Sequence, residues 1–214
     1  PPGVSYQVRG HILTTLERAY MEVGRKFGGV YPPPPIQVIV YTDGQFSEAT
    51  QLDGHVGAVY DGKIRSPLTD EAGQYLPERE LKRRMYHEYT HVVVRHVVGA
   101  NVPWWLNEGL AETFSRPLEP REVDMFRRAN AQDVAFRLRD LEANQLKALS
   151  ADALRLAYAQ AHATVDHLWN RYGQRNMTNM LEELAAGTSA EEALRLHYRR
   201  TYEAIEREVA ESVQ

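Results

Sequence analysis

The fold is decided by one stretch, residues 78–98, which reads ERELKRRMYHEYTHVVVRHVV. Pro77 suits the first turn of a helix and Gly99 suits its end, so the stretch predicts a helix over residues 78–98. His87 and His91 stand four residues apart within it. Residues at that spacing share one face of a helix. The stretch therefore predicts a helix that carries two imidazoles side by side.

Two imidazoles on one helix face can bind the same metal ion at about 2.0–2.1 Å from each ring nitrogen. Glu88 follows His87 directly and is turned by about 100° around the helix axis. Its carboxylate is therefore expected beside the ion, where a base can take a proton from metal-bound water. The pattern His-Glu-x-x-His is moderately specific, and the alternative is a surface helix with two unrelated histidines.

A third ligand is predicted in the segment WLNEGLAE, residues 105–112. A catalytic zinc site needs three protein ligands and an open position, and Glu108, at the opening of the next predicted helix, can be the third. Gly109 keeps the backbone small where two helices approach closely. Glu112 lies one turn later and is expected to accept the second N–H of a ligating imidazole. The alternative for both carboxylates is a solvated helix face.

An alternative kind of metal site takes a third histidine six residues after the second as its third ligand. Position 97 is valine here, and His96 falls one residue early and off the face of His87 and His91. We therefore interpret His96 as a structural or exposed residue.

The first half of the chain contains the predicted strands. A helix over residues 8–27 precedes a strand over 36–41, which Asp43-Gly44 is expected to stop. Residues 56–60 and 63–66 flank a turn at Asp61-Gly62 and predict a β-hairpin. Pro67 is expected to limit this hairpin to a sheet edge.

The second half is helical in pattern and predicts an α+β fold. We expect one zincin-like domain over residues 1–214, with an α/β part at about 1–99 and a helical part at about 100–214. The predicted helices after residue 100 cover 103–115, 121–129, 151–172, 176–186, 190–197 and 203–212.

Composition excludes several kinds of function. The 214 residues are 43% hydrophobic and 25% charged with a net charge of -4, so no attraction to nucleic acid or to an anionic membrane is expected, and no apolar run approaches a membrane span. The absence of cysteine excludes disulfides and thiolate ligands, which leaves histidines and carboxylates for a metal. The start at Pro1-Pro2-Gly3 suggests a mature or excised piece of a longer protein, and either a signal peptide or a flanking domain could be the part that was removed. The compartment stays open, with an extracytoplasmic setting among the options.

The two motifs together resemble a known family. His-Glu-x-x-His followed by Asn-Glu-Gly-Leu-Ala-Glu is similar to the gluzincins, which include thermolysin-like and aminopeptidase-like enzymes. The segment PWWLNEGLAE, residues 103–112, looks like the compact bacterial "peptidase MA-like" domain, with weaker similarity over residues 6–212. The resemblance implies a zincin-like fold, bound zinc and hydrolysis of peptide bonds.

Amide hydrolysis also needs a donor for the developing oxyanion. In gluzincins a Tyr or His beyond the third ligand often supplies it, and Tyr158 is our candidate, with His162 in reserve. The alternative for Tyr158 is an ordinary core tyrosine. Trp104 and Trp105 either line a substrate wall or pack between helices.

The hairpin is the candidate substrate site, because an extended peptide can pair with a sheet edge. Gly57, Ala58 and Val59 would let the substrate backbone approach. The family's aminopeptidases carry Gly-Ala-Met-Glu-Asn here, and their Glu holds the substrate amine. Tyr60 stands at that position in this chain. This difference favours an endopeptidase, with an aminopeptidase as the alternative.

One hypothesis comes from another class of function: a zinc-bound module that mediates interactions and has no catalytic activity. Structural zinc sites are closed by a fourth protein ligand. The presence of Glu88 argues against this hypothesis, because a purely structural site has no use for a general base.

Overall fold

The computed structural model describes residues 6–50, 59–70, 72–143 and 149–213. The internal contacts of the chain divide it into two units, Pro1–Val93 and Val94–Gln214. The boundary falls within one helix, α3, which extends over Glu78–Val98 as predicted.

The first unit combines helices with a small sheet. Its elements are α1 (Tyr6–Lys26), β1 (Val38–Tyr41), α2 (Asp43–Thr50), β2 (Val59–Tyr60), β3 (Ile64–Pro67) and the start of α3. Helix α1 buries Ile12, Ala19 and Val23 at helical spacing. The Tyr86 hydroxyl of α3 donates a 2.8 Å hydrogen bond to Glu22 of α1, which ties these two helices together.

Within the described residues, three strands lie in the order β1-β3-β2. Strand β3 is parallel to β1 and antiparallel to β2, with Val59 opposite Arg65. The predicted hairpin turn is confirmed: the Asp61 N–H donates to the Lys63 carbonyl at 3.3 Å, and Gly62 adopts a φ of +97°. The edge prediction for the whole hairpin is wrong, because β3 is the central strand. Pro67, the last residue of β3, is tolerated there because the hydrogen bond to the Tyr41 carbonyl of β1 comes from the Leu68 N–H at 2.8 Å and not from residue 67.

Helix α2 was not predicted, because Asp43-Gly44 suggested a simple stop after the strand. The structure shows a reciprocal cap at this point. The Gln45 N–H donates to the Thr42 hydroxyl at 3.4 Å, and the Thr42 N–H donates to the Gln45 side chain at 3.2 Å. This capping box starts a helix directly after β1 despite the glycine.

The described part of the second unit is helical. It contains the end of α3, α4 (Trp104–Ser115), α5 (Pro120–Ala131), a 3-10 turn (Leu138–Leu141), α6 (Ala151–Ala185), α7 (Ala190–Tyr198) and α8 (Tyr202–Ser212). With the sheet of the first unit, these helices confirm a helix-rich α+β fold. None of the described helices is both long enough and apolar enough to cross a membrane.

Helix α6 contains a break at Gly173. The backbone there has φ +84° and ψ +170°, a conformation that side chains disfavour and glycine adopts freely. The helices predicted over residues 151–172 and 176–186 are therefore two segments that meet at this glycine.

Helices α4 and α6 approach closely at Gly109, as the sequence predicts. A Cβ added at Gly109 would lie 2.4 Å from Cγ2 of Val165 and 2.5 Å from the carbonyl oxygen of Ala161. One of these neighbours is backbone, so the contact cannot be relieved by a side-chain rotation alone.

We expect Gly109→Ala to lower the free energy of unfolding by about 1–3 kcal/mol or more, because the added methyl overpacks the helix contact. Urea unfolding of the metal-free protein measures this. Gly10→Ala is the matched control, since a Cβ at Gly10 of α1 meets nothing within 4 Å. Alanine there should raise stability by up to about 1 kcal/mol. Equal effects of the two substitutions would contradict the overpacking argument.

A surface ion network holds α6 to α8. Glu208 accepts a 2.6 Å hydrogen bond from the Tyr172 hydroxyl and another from Arg200, and His167 and Arg171 lie within 3.3 and 3.7 Å of its carboxylate. Burial alone would raise the pKa of Glu208, but these donors outweigh it and lower the pKa to about 2.

Because this pKa is depressed, the ionised carboxylate stabilises the fold above its unfolded-state pKa of about 4.3. That contribution is lost as the pH falls towards about 2. We expect Glu208→Gln to cost on the order of 1–3 kcal/mol at pH 6, and the difference from wild type to shrink between pH 5 and pH 2.5. Urea unfolding across this range measures the difference. A difference that does not change with pH would argue against the ion network.

Candidate metal centre

The first unit brings the two histidines of α3 together. Nε2 of His87 and Nε2 of His91 lie 3.1 Å apart, and the rings are 4.8 Å apart between centroids at an angle of 82°. Both side chains are half-buried. The four-residue spacing thus places the imidazoles side by side, as expected for one helix face.

The opposite face of α3 fixes the orientation of this pair. Met85, Tyr89, Val92 and Val93 are buried there at helical spacing. The Thr90 hydroxyl donates a 2.8 Å hydrogen bond to the Tyr86 carbonyl, which keeps a polar group within the helix satisfied. These apolar contacts hold the helix in place with the histidine pair on its other face.

The spacing of the ring nitrogens fits a shared ion. Two nitrogen ligands of a tetrahedral zinc ion, each about 2.0–2.1 Å from it, lie about 3.3 Å from each other. The observed 3.1 Å between His87 and His91 is close to that value. The same distance allows a hydrogen bond when one ring carries its proton on Nε2. Imidazole and carboxylate donors without thiolates suit zinc.

Glu88 is buried beside this pair, with 3% of its surface exposed. A carboxylate at such a site is costly to ionise without favourable partners, and this favours a functional reason for its presence. A buried carboxylate next to paired imidazoles is suited to accepting and returning a proton.

In the second unit, Glu108 and Glu112 lie on α4. The helix begins at Trp104, so Glu108 lies one turn into it and is half-buried. Glu112 follows one turn later, has 5% of its surface exposed and lies 2.6 Å from the guanidinium of Arg116. Neither carboxylate lies on a fully solvated helix face.

Tyr158 lies on α6, half-buried, with its ring packed edge-on against Trp104 at 5.0 Å between centroids. Trp104 is 8% exposed, and Trp105 is fully buried 6.1 Å from the ring of Tyr202. Packing between helices is therefore the correct interpretation for both tryptophans. The role of Tyr158 as a donor stays a prediction.

His162, the reserve donor, is fully buried inside the second unit. Its Nδ1 lies 3.7 Å from Oε1 of Glu122 on α5. Glu122 and Arg116 were not among the predicted site residues, although the spacing of Glu112 and Arg116 by four residues is a signal for an ion pair.

Of the predicted substrate-binding residues, Val59 lies in β2, an outer strand among those described. Gly57 and Ala58 lie outside the described residues. The substrate-binding role of all three stays a prediction.

Paired histidines with an adjacent glutamate on one helix are typical of metal-dependent hydrolases. A family model of the Peptidase MA superfamily matches residues 79–214. The chain therefore belongs to the Peptidase MA superfamily. The matched region includes both the His-Glu-x-x-His motif and the segment around Glu108. Comparisons with the curated proteins and with the solved structures give no match.

Proposed function

We propose that this protein is a zinc-dependent peptidase in which His87, His91 and Glu108 bind the metal. One observation carries the proposal: Nε2 of His87 and Nε2 of His91 lie 3.1 Å apart on one face of α3, close to the separation of two ligands of one zinc ion. Two imidazole nitrogens and one carboxylate oxygen leave a tetrahedral ion with one open position. Membership of the Peptidase MA superfamily supports a peptidase over other zinc proteins.

When bound, zinc would polarise the scissile carbonyl and lower the pKa of its water. Glu88 takes the proton of the attacking water and passes it to the leaving amine. The buried position of this carboxylate keeps solvent from competing for the proton. The Tyr158 hydroxyl donates to the oxygen on which negative charge develops.

The outer edge of β2 pairs with the main chain of an extended peptide substrate, next to Val59. Tyr60 occupies the position where the family's aminopeptidases hold the substrate amine. The amine anchor is therefore missing from that position, which favours cleavage within a chain over removal of its first residue.

Digestion of a mixed peptide library tests this function. We expect cuts at internal bonds, identified by mass spectrometry, that stop when a chelator is added and resume with added zinc. Trimming by single residues would instead support an aminopeptidase. A protein that binds zinc and cuts no peptide would overturn the proposal in favour of a non-catalytic zinc module.

A further inference from the structure

Arg116, the residue that ends α4, lies between two carboxylates of the second unit. Its Nη2 is 2.6 Å from Oε2 of Glu112, one helical turn earlier. On its other side, Nη1 and Nη2 donate to the two carboxylate oxygens of Glu122 at 2.5 and 2.7 Å. The guanidinium therefore makes a bidentate contact with Glu122 and a further contact with Glu112.

All three side chains are largely withdrawn from water, with 18% of Arg116, 7% of Glu112 and 9% of Glu122 exposed. At this burial, charges interact more strongly than on the surface, and removing one partner leaves another charge uncompensated. The contacts of Arg116 are therefore specific and costly to break.

Glu122 is itself fixed by its surroundings. It accepts a 3.0 Å hydrogen bond from the Glu119 N–H, and His162 lies beside it. Burial alone would raise the pKa of Glu122, but the hydrogen bonds from Arg116 and from the Glu119 N–H hold it well below its usual range. Glu122 thus stays ionised and holds the guanidinium in one orientation.

A bidentate contact between arginine and a carboxylate fixes the plane of the guanidinium as well as its position. Because Glu122 holds one side of Arg116, the guanidinium keeps one position beside Glu112, with Nη2 2.6 Å from Oε2. This contact is an ion pair and not an aligned hydrogen bond, and it places a fixed positive charge against one oxygen of the Glu112 carboxylate.

We propose that Arg116, clamped by Glu122, is a positioning residue that orients the Glu112 carboxylate and, through it, an imidazole of the zinc site. The inference rests on the proposed function, in which Glu112 accepts the second N–H of a ligating histidine. An outer partner of this kind keeps the ring in one tautomer and orientation.

The test compares zinc affinity in the full chain, measured by competition with a chromophoric chelator, for Arg116→Met, Arg116→Lys, Glu112→Gln and the double variant Arg116→Met/Glu112→Gln. We expect Glu112→Gln to weaken zinc binding by about 10- to 100-fold and Arg116→Met by roughly 10-fold. Arg116→Lys keeps the positive charge but cannot make the bidentate contact, so its zinc affinity should lie between those of wild type and Arg116→Met. The double variant should bind no more weakly than Glu112→Gln, because both changes remove the same support.

Arg127→Met is the matched control, since Arg127 of α5 pairs with Asp124 at the surface and should leave zinc affinity unchanged. Urea unfolding in chelator reports the stability of each metal-free variant separately. Two results would show a purely structural role and overturn the inference. The first is unchanged zinc affinity in Arg116→Met and Arg116→Lys. The second is an equal loss of zinc affinity when Arg116→Met is introduced into wild type and into Glu112→Gln. Absence of zinc binding in the wild type would instead overturn the proposed function.

Discussion

Glu88→Gln is expected to retain zinc and to lose peptide turnover by about 10²- to 10⁴-fold, the usual contribution of a general base. Glutamine has nearly the same shape as glutamate and cannot take up a proton from water. Glu88 has only 3% of its surface exposed, so a nearby solvent molecule cannot easily replace it. Stability should not fall, because a neutral amide is less costly to bury than a carboxylate.

The measurements are kcat/KM on a peptide that the library digestion identifies, and zinc content by elemental analysis. Glu78→Gln is the matched control, since it makes the same chemical change on the same helix at a side chain that is 80% exposed. Turnover in Glu88→Gln within a few-fold of the control would remove Glu88 from the mechanism.

His91→Ala is expected to abolish zinc binding, and with it all activity. The substitution removes one of the three proposed protein ligands, and the remaining pair should not retain the ion against a chelator. In wild type, free zinc at about 1,000 times Kd should stabilise the fold by roughly 4 kcal/mol. The variant should show no such gain when Tm is compared with and without zinc.

His96→Ala controls for the loss of an imidazole from α3. His96 is exposed and lies five residues after His91, off the face of the pair. The His96→Ala variant should bind zinc as wild type does and show the same gain in Tm when zinc is added. Stoichiometric zinc in purified His91→Ala would show that the ligands lie elsewhere.

Local signals predicted the helices well. Both end residues of helix α3 were predicted correctly. Pro77 favours a helix start and Gly99 favours a helix end, and each affects only the adjacent helical turn. The break at Gly173 was predicted for the same reason. Helix α2 was missed because Gly44 was given more weight than the reciprocal cap of Thr42 and Gln45.

Features that depend on distant parts of the chain were harder to predict. The position of β3 in the middle of the sheet depends on its parallel pairing with β1, which no feature of the hairpin itself indicates. The histidine pair follows from helix spacing alone. The contact of His162 with Glu122 joins α6 to α5 across 40 residues of sequence, so no local pattern could have revealed it.

The glycine contact between α4 and α6 limits how this protein can be redesigned. At Gly109, directly after Glu108, α4 lies against the Ala161 carbonyl and the Val165 side chain of α6, so α6 limits where the backbone that carries Glu108 can lie. Mutagenesis of α6 should therefore leave Val165 unvaried. A larger side chain there would push against Gly109 and displace the neighbouring Glu108.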